Sequence, residues 1–150
     1  MHFYGGGYCD IKTVNHSWLF SVVKLAQNED AWAIGYKEIG PDGVPNVPDP
    51  LTNKLIHDNW HLLIGNGAYI FKPETPLTSD WYHAMIDTMD ANLANLKKYP
   101  ARHPQEVYSE QYPYPFRWAQ LLGEIFHPIC YKYHAHVLQS LPPISFNSYK

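Results

Sequence analysis

Residues 62–86, LLIGNGAYIFKPETPLTSDWYHAMI, hold the reading on which the fold turns. Two apolar pieces, HLLI from His61 and AYIF from Ala68, are split by Gly65, Asn66 and Gly67. A strand interrupted by a bulge or a sharp bend accounts for this, because small residues there let another group approach the backbone. Beyond the strand, Thr78 or Ser79 caps a helix. Trp81, Met85, Met89, Leu93 and Leu96 recur along one side of it, and Lys97 and Lys98 stand at the negative end of its dipole. Pro100 and Pro104 stop the helix. A strand running into an amphipathic helix is the repeating step of a layered domain, so the reading favours α/β or α+β over an all-helical fold.

The same alternation extends outward. After the glycine run Gly5–Gly7, the segment Tyr8–Thr13 (YCDIKT) reads as a strand that sets Asp10 and Lys12 on one face and Cys9 and Ile11 on the other. Asn15 or Ser17 then caps a short helix carrying Leu19, Val22, Val23 and Ala26 at helical spacing. AWAIGYK from Ala31 reads as a strand, and Gly40 to Pro50 is a stiff surface loop rich in proline, glycine and aspartate. Downstream, YSEQYPYPFRW is an aromatic, proline-rich loop, and a helix entered through Pro115 runs to an interruption at Pro128. A last helix is expected over ICYKYHAHVLQSL, followed by a tail. The expectation is one α/β domain over residues 1–150, a mixed sheet with flanking helices, without internal repeats.

Composition narrows the function classes. The 150 residues carry a formal net charge of −3 with Lys and Arg scattered, so no basic face suggests nucleic acid. Cys9 and Cys130 lie outside any CxxC pair, which indicates neither a zinc site nor a disulfide framework. No stretch approaches the roughly 20 apolar residues that span a bilayer, and no basic segment followed by an apolar core opens the chain. A cytoplasmic location is the expectation for the chain as given.

The opening glycines do not make a phosphate loop, since no Gly-Lys-Ser/Thr follows and they precede a strand instead of a helix. Taken whole, YGGGYCDIK from Tyr4 to Lys12 resembles the YGGxYxDxD segment of GT-A-fold sugar-nucleotide glycosyltransferases. That group includes initiation-specific mannosyltransferases and capsular polysaccharide synthesis enzymes. The resemblance implies the C-terminal portion of a GT-A-like fold, acting on a nucleotide-sugar donor and a carbohydrate acceptor. In such enzymes a hard cation, Mn2+ or Mg2+, offsets the charge that develops on the diphosphate leaving group. Asp10 matches the first aspartate of the motif and is the expected metal or diphosphate contact, with Gly6, Gly7 and Tyr8 beside the donor.

Lys12 stands where the family has its second aspartate. An ammonium cannot ligate a metal, so Lys12 is expected to offset the diphosphate charge itself. Residues 62–86 resemble the family's later segment beneath the sugar, which makes Asn66 the expected partner of a sugar hydroxyl. The late segment FHPICYKYHAH offers His127, His134 and His136, and the resemblance assigns His134 as a further metal contact. Because the family's nucleotide-binding βαβ units precede this motif, the resemblance implies the acceptor-side half of a catalytic domain. A missing N-terminal half, or a second copy of the chain, would complete it.

Read without the resemblance, several of these residues have plainer roles. His134 and His136 on one helix would lie about 200° apart and could not easily chelate one ion, and HAH falls short of the metallohydrolase signatures. Tyr108, Tyr112, Tyr114 and Trp118 suit either sugar rings or a core. Glu74, Asp80 and Glu124 are carboxylates available as a base, with no spacing that singles one out. A non-catalytic carbohydrate-binding module is the alternative function.

Overall fold

The computed structural model describes residues 1–146, so the last four residues of the expected tail lie outside the described part. Four strands lie side by side in the order β1 (Gly6–Cys9), β3 (Ile64–Phe71), β2 (Ala33–Lys37), β4 (Val137–Leu138). The central β3 pairs antiparallel with both β1 and β2, while β4 runs parallel to β2, so the sheet is mixed. Helices α1 (Leu19–Gln27), α2 (Pro50–Asp58), α3 (Pro76–Ala91), α4 (Leu93–Lys98) and α5 (Gly123–Lys132) complete the α/β arrangement. Among the described residues no helix is long and apolar enough to cross a membrane.

Both faces of the sheet are covered. On one, Tyr69 and Phe71 of β3 meet Ile56 of α2, Leu77 of α3 and Phe126 of α5. On the other, Ile34 and Tyr36 of β2 pack with Leu25 of α1 and with Ile144 of the C-terminal segment. Each such fully buried aliphatic or aromatic side chain contributes about 1.5–3 kcal/mol.

Several expectations shift. The first strand begins earlier than Tyr8, at Gly6, and ends at Cys9. Gly5 and Gly6 take φ of 61° and 108°, and an added Cβ at Gly5 would sit 2.6 Å from the Phe71 carbonyl oxygen. The glycine run therefore lets the chain swing onto β3, where Gly6 faces Phe71 and Cys9 faces Ala68. One holds: β3 runs through Gly65–Gly67, and the expected bulge falls there, because Gly35 faces Tyr69 while Lys37 faces Ile64, so two steps along β2 stand against five along β3.

Helix α3 is capped by Thr75, whose Oγ1 accepts the Thr78 N–H, not by Thr78 or Ser79. It pauses at Asn92, so Met89 and Leu93 of the expected stripe are exposed. Helix α2 was not anticipated, although Asp49 and Pro50 form its N-cap and first position. The helix expected from Pro115 starts only at Gly123, because residues 117–122 close short turns such as Gln120 N–H to the Arg117 carbonyl. It then continues through Pro128, held by Phe126, His127 and Cys130 on its buried face. The final expected helix holds only over its first four residues, 129–132, as the end of α5; the rest becomes a turn at His134–His136 and β4, since Trp32 N–H draws the His136 carbonyl to the sheet.

Candidate functional site

Asp10 follows β1 directly, and its N–H donates to the Gly67 carbonyl at 2.8 Å, which fixes it against the middle strand. The chain then turns, with Lys12 N–H donating to the Asp10 carbonyl at 2.7 Å. Both carboxylate oxygens are engaged: Tyr8 Oη donates to Oδ1 at 2.7 Å and Lys12 Nζ to Oδ2 at 2.8 Å. The Asp10 side chain is 29% exposed and that of Lys12 only 11%. Tyr8 is oriented by stacking on Tyr69 at 5.3 Å, and the Lys12 ammonium lies 4.4 Å from the centre of the Phe146 ring. The alternation that placed Asp10 and Lys12 on one face thus brings them together, although the turn rather than a strand does so.

Gly67 sits behind this pair, where an added Cβ would reach Asp10 Oδ2 at 3.4 Å and overlap Ile144. Its N–H donates to Tyr36 Oη at 3.2 Å, and burial pushes the Tyr36 phenol up to about 12. A Cβ at Gly65 would overlap the same phenol. Room around the GNG triplet is therefore filled by Tyr36 and Ile144. Asn66, between the two glycines, points toward the start of α5: a Cβ on Gly123 would lie 2.9 Å from Asn66 Nδ2. Asn66 Oδ1 is buried and has no hydrogen-bond partner among the described residues.

The other expected residues disperse. Around Gly6 there is open space, and Gly7 makes ordinary contact with Trp18 and Ile70. His134 bonds through Nδ1 to the Tyr131 carbonyl and stacks on that ring, while His136 stacks on Trp32 and bonds the Asp30 carbonyl. The neighbouring β4 pairs with Ala33, which faces Phe71, at the Gly6 end of the sheet. Asp10 lies at the other end, four residues or about 13 Å along the strand from Gly6, so it and His134 are not brought together. Among the described residues no group of three or more His, Cys, Asp or Glu side chains is arranged to hold a metal ion.

Of the candidate bases, Asp80 is clamped by Lys132 at 2.7 Å and Tyr133 at 2.8 Å across α3 and α5. Those hydrogen bonds hold its carboxyl below the ordinary range. Glu124 pairs with Arg117, and Glu74 occupies a turn at φ 55°. Tyr112 bonds the Pro100 carbonyl and carries Arg102 on its face at 3.7 Å, whereas Tyr108 and Trp118 are exposed.

A pair that sequence reasoning missed lies nearby. Glu38, directly after β2, brings Oε2 to 3.5 Å from His127 Nε2 on the buried face of α5. Glu38 is 6% exposed and His127 1%, and neither ring nitrogen has a hydrogen-bond partner among the described residues. The sequence offered His127 among the late histidines, but nothing in it joined that ring to a carboxylate at the end of β2.

No protein-family model, no curated protein and no solved structure matches this chain.

Proposed function

We propose that this chain is the catalytic region of a glycosyltransferase of the GT-A type, moving a sugar from a nucleotide-sugar donor to a carbohydrate acceptor in polysaccharide or glycan synthesis. The observation that supports it most is the Asp10–Lys12 ion pair at the end of a glycine-led strand, held against Gly67 by the Asp10 N–H. In this reading the pair faces the donor diphosphate and Asn66 receives a sugar hydroxyl.

Mn2+ or Mg2+ would find one carboxylate here, with an ammonium already 2.8 Å away that would repel it. These residues suit a fixed ammonium charge on the diphosphate better than a protein-held metal. Lys12 then offsets the charge that grows on the leaving oxygen, and Asp10 keeps the ammonium in place. A non-catalytic carbohydrate-binding module is the second reading, favoured by the engagement of both Asp10 oxygens within the chain.

Titration with a panel of nucleotide sugars, with and without Mn2+, tests the proposal. Saturable binding and release of nucleoside diphosphate support the transferase. Binding of free glycans without any response to nucleotide sugars supports the module.

A further inference from the structure

Three side chains with unused hydrogen-bonding capacity lie near one loop. His127 is buried with both ring nitrogens unpartnered among the described residues, and so is Asn66 Oδ1. Gly123, which contacts Asn66, stands one helical turn before His127 on the inner face of α5. Glu38 spends one oxygen on the Ile39 N–H at 2.9 Å and turns the other toward His127.

The segment between β2 and α2 packs on Glu38 and on Gly123, beside Asn66. An added Cβ on Gly43 would lie 2.7 Å from Glu38 Cδ, and Pro45 stands 2.8 Å from the corresponding position on Gly123. Val44, between those contacts, is buried in the core, whereas Gly40 at the start of the segment is extended, accepts the Gly43 N–H at 3.1 Å, and has open space where a Cβ would stand. Buried polar atoms in folded proteins are nearly always paired, so the unpartnered atoms of His127 and Asn66, with the Glu38 carboxylate beside the imidazole, call for an occupant. A carboxylate and an amide oxygen accept, and an imidazole both donates and accepts. That combination matches hydroxyl groups on neighbouring carbons.

We propose that residues 40–48 form a hinged cover, moving about Gly40, over a hydroxyl-binding site made by Glu38, His127 and Asn66, and that its ligand is a carbohydrate. The acceptor role of that carbohydrate rests on the transferase reading above. With the Nε2 proton of His127 turned to Glu38, Nδ1 carries the free lone pair. During transfer the acceptor oxygen bonds to the anomeric carbon of the nucleotide sugar as the bond from that carbon to the diphosphate oxygen breaks. The electron pair leaves with the diphosphate, and the hydroxyl proton passes to His127 Nδ1, whose positive charge Glu38 offsets.

The test is an NMR titration of the full chain with free mannose, glucose, galactose and their disaccharides, following the His127 ring and the Gly43 and Val44 amides. At least one sugar should shift all three signals together and saturably, and Glu38→Gln and His127→Gln should each weaken that binding at least tenfold. Gly43→Ala, which cannot seat on Glu38, should speed amide exchange across residues 40–44 at least tenfold.

Silence of the wild-type His127 ring, which needs no variant to fold, would leave buried water as the occupant and overturn the inference. Unchanged sugar affinity in both variants, or unchanged exchange in Gly43→Ala, would do the same. Nucleotide sugars added to the same sample separate the two claims. Donor binding with a silent His127 removes only this site, whereas a sugar response without donor binding keeps the site and removes the transferase.

Discussion

Gly65→Ala should unfold this protein several degrees early, for a reason that lies on another strand. The new methyl would overlap both the hydroxyl and the ring of Tyr36, and Tyr36 cannot retreat easily because it is buried and its oxygen accepts the Gly67 N–H. Overpacking a tight interior costs about 1–3 kcal/mol, and a clash with an anchored ring belongs at the upper end. For a chain of 150 residues, about 2–4 °C is lost per kcal/mol, so the melting temperature should fall by about 6–12 °C. Circular dichroism melts of wild type, Gly65→Ala and Gly40→Ala measure it. Gly40 faces open space in extended backbone, so its variant should melt with the wild type. Adding Tyr36→Phe to Gly65→Ala should not restore stability, because ring carbons Cζ and Cε2 overlap the methyl as the oxygen does. A Gly65→Ala protein melting within about 2 °C of wild type would refute the packing of Tyr36 under the triplet.

Lys12→Ala should lower transfer at least tenfold while Lys12→Arg keeps most of it; equal, near-wild-type turnover in both would remove the ammonium from the mechanism. Chelation with EDTA should leave transfer within about twofold, and a collapse of activity restored by Mn2+ would show that a metal does what Lys12 is assigned here. The Asp80 carboxyl is held below its ordinary value of 3.8 by Lys132 and Tyr133, so its link between α3 and α5 stabilises the fold at neutral pH and is lost as the pH falls below that value. Asp80→Asn should therefore cost up to about 1 kcal/mol at pH 7, a cost that shrinks as the pH is lowered through the acid range below 3.8, measured as urea midpoints; a cost that does not change with pH would assign the loss to packing.

What could be read in advance followed local chemistry. The first helix, the strand after Ala31 and the helix after the Thr75 turn emerged from periodicity, although the expected caps missed: the first helix starts from Trp18, not Asn15 or Ser17, and the other from Thr75, while the turn after β1 joins Asp10 to Lys12. The GNG triplet announced a close approach but not by what, since Tyr36 comes from a neighbouring strand. Glu38 and His127 were invisible as a pair for the same reason: only the packing of α5 against the end of β2 joins them. The late segment misled because pairing with the sheet overrode helical propensity, turning most of the expected helix into a turn and β4. Helix α2 was legible in its Asp-Pro start and went unread within a proline-rich stretch.

The central claim, a diphosphate received at Asp10 and Lys12, is tested most directly by calorimetric titration of wild type, Lys12→Ala and Asp10→Asn with a nucleotide sugar that binds. Saturable binding by the wild type, weakened at least tenfold in both variants while their melting temperatures hold, is the predicted result. Donor binding that both variants retain at full strength, or no binding by the wild type to any nucleotide sugar, would contradict it.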